Sequence, residues 1–94
     1  MTQQEREQSQ KILNHFGEPA QRIKLGEECA ELATTILQSL CPTKNPKKIE
    51  QKLYSELADV YNLMLQSEFV FDFGRVKSIA AMKRETCIDN YQIQ

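Results

Sequence analysis

Two apolar patterns of helical period dominate the chain, and carboxylates interrupt both. Leu25, Cys29, Leu32, Ile36 and Leu40 recur at three- and four-residue spacing, as do Ile49, Leu53, Leu57, Val60 and Met64. Each set therefore lines one face of an α-helix. Glu28 lies three residues after Leu25 and four before Leu32, and Glu56 stands in the same relation to Leu53 and Val60. Both acids thus fall inside the stripes meant for burial. Glu31 and Asp59 follow one turn later, so each helix directs a pair of carboxylates to the edge of its core face.

Capping and breaking residues divide the rest of the chain into helices. Thr2-Gln3-Gln4-Glu5 has the form of a capping box, and the polar run after it reaches Ile12, Leu13 and Phe16 before Gly17 stops it. Its glutamine richness predicts fraying in the first turns. Glu18-Pro19 opens a second helix that continues to Leu40 and ends at Cys41-Pro42. Pro42 to Pro46 reads as a loop, after which Asn45 and Pro46 cap and start a third helix that runs to about Glu68. Phe69 to Gly74 is a packed turn, Asp72 caps a last helix whose apolar positions are Val76, Ile79, Ala80, Met82 or Lys83 at the edge, and Cys87, and the tail after Asp89 is expected to be loose. Gly26, in mid-helix, suggests either a close helix crossing or close approach by a partner or substrate.

The expected fold is all-α, a small bundle of about four helices. A short connection makes the second and third helices antiparallel neighbours. At 1.5 Å of rise per residue, Glu28 lies about 20 Å and Glu56 about 15 Å from that connection, so the two acidic pairs share a register. A single domain of 94 residues has a modest core, and homo-oligomerisation, as a homodimer or homotetramer, is the expected completion.

With 40% apolar and 27% charged residues the chain has globular composition. It has neither an apolar membrane span nor an export signal, and a cytoplasmic location is expected. Cys29, Cys41 and Cys87 lack metal-site spacing and fit a reducing compartment, with Cys29 a small core residue. A net charge of −1 gives no case for binding nucleic-acid polymers.

Four carboxylates drawn together out of water cost several kcal/mol each unless compensated. A hard divalent cation, magnesium or manganese, matches an all-oxygen donor set, whereas zinc or copper would call for thiolate or imidazole. Magnesium is commonly shared with substrate phosphates, so a phosphate-bearing substrate follows. Solvated charged faces are the simpler alternative.

The run Glu27-Glu28-x-x-Glu31 followed by Glu56-x-x-Asp59 resembles the signature of the MazG-like group of all-alpha nucleoside triphosphate pyrophosphohydrolases, and His15-Phe16-Gly17 with Gln21 is similar to the lead-in of its small members. The likeness extends from about His15 to about Lys83. It implies that Glu28, Glu31, Glu56 and Asp59 are metal ligands and that Glu27 is an auxiliary ligand or orients the attacking water. It also implies hydrolysis of a nucleoside triphosphate to the monophosphate and pyrophosphate.

Around this core, Gln21 with Phe16 and His15 is a candidate base pocket, although His15 and Phe16 also suit a structural helix end. Asn62 suits a ribose or a bound water, or else the surface. Lys24 suits a phosphate contact or a local ion pair with Glu28. On the last helix Arg75, Lys77, Lys83 and Arg84 are candidate phosphate partners, with Lys83 and Arg84 nearest the family pattern; a solvent-facing role is the alternative. Phosphoribosyl-ATP pyrophosphohydrolases, which Lys24-Leu25-Gly26-Glu27-Glu28 also resembles, and a non-catalytic nucleotide-binding or oligomerisation module are the competing functions.

Overall fold

The computed structural model describes residues 1–42 and 45–94. Among them are four α-helices and no strand: α1 (Gln3–Phe16), α2 (Glu18–Ser39), α3 (Pro46–Ser67) and α4 (Phe73–Tyr91). Thr43 and Lys44, within the expected loop from Pro42 to Pro46, lie outside the described residues.

Side-chain caps set the helix starts. Thr2 Oγ1 accepts the Glu5 backbone N–H at 3.0 Å, and Glu5 Oε1 accepts the Thr2 N–H at 2.7 Å. The Tyr61 hydroxyl also donates to Glu5. The first turn of α1 is consequently formed rather than frayed. The Thr2 N–H, foremost, and then Tyr61 hold the Glu5 carboxyl below its usual pKa. Asn45 Oδ1 accepts the Lys48 N–H at 3.2 Å to start α3, and Asp72 Oδ1 accepts the Arg75 N–H at 3.1 Å to start α4. The helix continues past Asp89 to Tyr91, where Gln92 in the left-handed region (φ 51°) caps it and the Ile93 N–H bonds to the Ile88 carbonyl. The tail is therefore more ordered than its sequence suggests.

Gly17 ends α1 and begins α2 with φ 87° and ψ 156°, a region that residues bearing a Cβ avoid. Gly17→Ala is expected to cost about 1–3 kcal/mol, seen as a lower Tm in thermal unfolding; an unchanged Tm would mean this turn relaxes without cost.

In packing, α2 lies on α3, α1 lies against both, and no Cα of α4 comes within 8 Å of the other three helices. The buried apolar side chains are Leu13, Leu63 and Leu65, whereas Ser9, Glu28, Thr35, Glu56, Gln66 and Ser67 are buried polar groups. The interior is thus small and largely polar. Of the two sequence stripes, Leu25, Leu32, Ile49, Leu53 and Val60 are half-buried, but Ile36, Leu40, Leu57 and Met64 are exposed. Cys29, expected in the core, is exposed as well. The reason is geometric: α3 covers the line Gln21, Leu25, Glu28, Leu32, Thr35, and the rest of the stripe turns aside. Around Gly26 an added Cβ would meet nothing within 4 Å, so no close helix crossing within the chain accounts for it. Among the described residues no helix is long and apolar enough to cross a membrane.

Candidate functional site

The α2–α3 seam is built on heptad spacing, which returns a side chain to nearly the same face every two turns. On α2 this brings Gln21, Glu28 and Thr35 into line, and on α3 it aligns Asp59 with Gln66. Gln21 Nε2, near the start of α2, donates to Gln66 Oε1, near the end of α3, at 2.7 Å. Farther along, Glu31, Thr34 and Thr35 of α2 face Lys52 and Glu56 of α3 around a hollow of about 300 Å³.

Glu28 and Glu56 are 7% and 8% exposed. Each has a lysine one turn earlier: Lys24 Nζ lies 3.1 Å from Glu28 Oε1 and Lys52 Nζ lies 4.0 Å from Glu56 Oε1. Both lysines are about half-exposed, so they only partly offset the burial of two charges. The second oxygen of each glutamate, Oε2, is buried without a hydrogen-bond partner, as is Thr35 Oγ1. Three polar atoms along one seam thus give up water and receive nothing in return, which is costly unless a further group completes them.

Beside this seam opens a groove of about 600 Å³ whose polar wall is Gln21, Lys24, Glu28, Asp59, Asn62 and Gln66 and whose apolar wall includes Phe16 and Leu63. Its volume falls within the roughly 300–1,000 Å³ of small-molecule sites. The four acids are accordingly divided, Glu28 and Asp59 lining the groove while Glu31 and Glu56 line the smaller hollow. They do not close on one point, and among the described residues no group of three or more acidic, histidine or cysteine side chains is arranged to hold a metal ion. The expected convergence is only partial: each hollow takes one acid from each helix, so the two pairs are displaced along the seam.

Electrostatics nevertheless couples the two parts. The Glu31 carboxyl is pushed above its usual pKa, chiefly by the negative charge of Glu28, then by desolvation, and further by Glu56. Its protonated form is favoured in the folded chain, so the stability it contributes is present at acid pH and lost as pH rises through its folded pKa. The Lys24 ammonium is pushed up, first by its hydrogen bond to Glu28 and then by that residue's charge. Four carboxylates, Glu28, Glu31, Glu56 and Asp59, face two lysines, Lys24 and Lys52, along the seam.

Other sequence candidates fall in different places. Glu27 is exposed on α2 and lines neither hollow. Phe16 walls the groove. His15 is outside that wall, its ring edge-on to Phe16 with centroids 4.7 Å apart. Lys83 and Arg84 are exposed on α4, which packs against no other helix, so the chain does not bring them to the groove. Gln66, Lys52 and Thr35 belong to the site although the charge pattern did not single them out. Spacing held the signal, since Gln66 follows Asp59 by seven, Thr35 follows Glu28 by seven, and Lys52 precedes Glu56 by four.

Comparison with known protein families, curated proteins and solved structures gives no significant match to this chain.

Proposed function

We propose that this chain is a magnesium-dependent nucleoside or deoxynucleoside triphosphate pyrophosphohydrolase of the MazG-like kind, acting as a homo-oligomer in the cytoplasm. The observation that carries the reading is the pair Glu28 and Glu56, each nearly buried and each left with an orphaned carboxylate oxygen on the seam between α2 and α3. The Gln21–Gln66 bond at one end and the Thr35, Lys52 and Glu56 wall at the other support an antiparallel α2–α3 pair, in which all four acids lie on one side.

The chemistry of those orphaned oxygens, with Glu31 and Asp59 beside them along the seam, suits a magnesium or manganese ion, for which an all-oxygen donor set is preferred, although the four acids are not gathered at one point in the single chain. Bound there, the ion would neutralise a triphosphate and lower the pKa of coordinated water. The chain's own groups supply the remainder. Lys24 and Lys52 hold the buried glutamates in place while no cation is bound. Asn62, Gln21 and Gln66 offer hydrogen bonds along the groove, and Phe16 offers a face to a base. Glu27, exposed next to Glu28, is positioned to orient water only from outside the seam.

Because a cation would bind the folded chain alone, magnesium at a hundredfold excess over its Kd is expected to stabilise by about 2.7 kcal/mol. Thermal unfolding should register this as a rise in Tm on the order of 10–20 °C, and no rise at millimolar magnesium would count against the site.

The direct test is to incubate the purified chain with magnesium and a panel of ribonucleoside and deoxynucleoside triphosphates, with phosphoribosyl-ATP included. Monophosphate and pyrophosphate in equal amounts are expected. Activity confined to phosphoribosyl-ATP would transfer the protein to the histidine-synthesis reaction. The distance of Lys83 and Arg84 from the groove favours one other reading, a nucleotide-binding module without turnover. Nucleotide-dependent stabilisation with no pyrophosphate after long incubation would establish that instead.

A further inference from the structure

The hollow of about 300 Å³ beyond the groove spends its hydrogen-bonding groups unevenly. The Thr34 hydroxyl donates to the Ala30 carbonyl at 3.1 Å. The Thr35 hydroxyl, on a side chain with no exposed surface, has no partner. Its one O–H donor is therefore available to an acceptor. Lys52 is half-exposed, and its Nζ lies 4.0 Å from Glu56 Oε1, beyond hydrogen-bond range. Glu56 Oε2, by contrast, is an acceptor that receives nothing.

The hollow thus calls for both signs of charge at once. A bare anion would meet two carboxylates, Glu31 and Glu56, against one ammonium. A bare cation would leave the Thr35 and Lys52 donors unspent. A phosphate chain that carries a hard divalent cation satisfies both sets, since its oxygens accept from Thr35 and Lys52 while the carboxylates face the cation.

We propose that this hollow is the subsite of the leaving pyrophosphate, with the Lys52 ammonium and the Thr35 hydroxyl as its phosphate contacts. The inference rests on the triphosphate reading above and adds the direction in which the substrate lies. Gln21, Glu28 and Thr35 are seven apart on α2, and Gln66, Asp59 and Lys52 are seven apart in the reverse order on α3. In an antiparallel pair they form three facing rungs, about 10 Å from one to the next. The first rung is the Gln21–Gln66 hydrogen bond, the second is Glu28 with Asp59 on the groove, and the third is Thr35 with Lys52 on the hollow. Phe16 walls the groove together with the first rung. A base laid against Phe16 therefore sends its phosphates past Glu28 toward the hollow.

Cleavage then divides the substrate between the second rung and the third. Water splits the α,β-anhydride: one half keeps the bridging oxygen, the other takes the oxygen of the water, and a proton passes to solvent. The monophosphate is left in the groove and pyrophosphate in the hollow. Lys83 and Arg84 stand on α4, which packs against no other helix, so within one chain the seam supplies these donors itself.

Binding of the two products, measured separately by titration calorimetry on the full chain, tests the subsite without turnover. The probes are inorganic pyrophosphate and a deoxynucleoside monophosphate, each with and without magnesium. The variants are Lys52→Met and Thr35→Val. Both are expected to keep the fold, because Lys52 is half-exposed and valine matches threonine in shape while removing a hydroxyl that bonds to nothing. The native chain is expected to bind pyrophosphate only with magnesium. Each variant should weaken that binding by at least about tenfold and change monophosphate affinity by less than about twofold. Lys52→Arg, which keeps the charge, should restore pyrophosphate binding. A native chain that binds no pyrophosphate, or binds it equally well without magnesium, would overturn the subsite. So would pyrophosphate affinity unchanged in either variant, or equal losses for the two products. Products bound in the expected pattern by a chain that hydrolyses no triphosphate would defeat the catalytic reading alone, whereas turnover with pyrophosphate affinity indifferent to Lys52 and Thr35 would defeat the subsite alone.

Discussion

Glu28→Gln is expected to lower pyrophosphate release at least 100-fold while leaving the helical fold intact. Glu28 is 7% exposed, with one oxygen held by Lys24 at 3.1 Å and the other without a partner. Glutamine keeps the volume and removes the charge, so the buried seam loses a ligand without gaining a cavity. A neutral amide is less costly to bury than a carboxylate, and the metal-free variant should therefore melt no lower than the parent. Magnesium should no longer raise its Tm, because the charge that made the ion favourable is gone. Product release and far-ultraviolet circular dichroism on the same preparation separate loss of chemistry from loss of fold. Full activity in the variant would count against the assignment.

Leu63→Ala is expected to bring the largest loss of stability. Leu63 is one of three buried apolar side chains among the described residues, 6% exposed, and with Leu13, Leu25 and Val70 it surrounds a cavity of about 20 Å³ where α1, α2 and α3 meet. Truncating a buried leucine costs about 2–5 kcal/mol, the transfer of the lost atoms plus the cavity they leave. In a chain with so small an apolar interior little can move in to fill the space. A cost at the low end corresponds to a fall in Tm of about 8 °C or more for a domain of this length. Calorimetry on the variant would show it, and a shift within about 2 °C would mean the helices are held together elsewhere.

The helix ends were legible because caps are local. Thr2 with Glu5, Asn45 with Pro46, and Asp72 each act through atoms within one turn, so the residues alone specify the bond. The burial of Glu28 and Glu56 was legible for a related reason: spacing fixes which residues share a face. Spacing does not fix what covers that face. Cys29, Ile36, Leu57 and Met64 carry the same period as Leu25 and Leu53, yet the one set is exposed and the other half-buried. That difference depends on how far around α2 its neighbour α3 reaches, which no pattern within either helix encodes.

The same gap explains α4. The spacing within α4 does not say what that helix packs against, and Lys83 and Arg84 are candidate phosphate partners only through the family pattern. Within the site, charge drew attention to the acids, whereas Gln66 and Thr35 are neutral and signal no cost until their burial is seen. The fraying expected of α1 failed for a longer-range reason, since Tyr61 on α3 bonds to Glu5 across fifty-six positions of sequence.

The central claim is that carboxylates of α2 and α3 bind one kind of ion between them, and a manganese titration followed by electron paramagnetic resonance measures this most directly. With the native chain, the signal of free Mn²⁺ should be suppressed saturably and magnesium should compete. The double variant Glu28→Gln, Glu56→Gln should leave that signal unchanged. A native chain that leaves the free-ion signal as large as buffer does would contradict the claim.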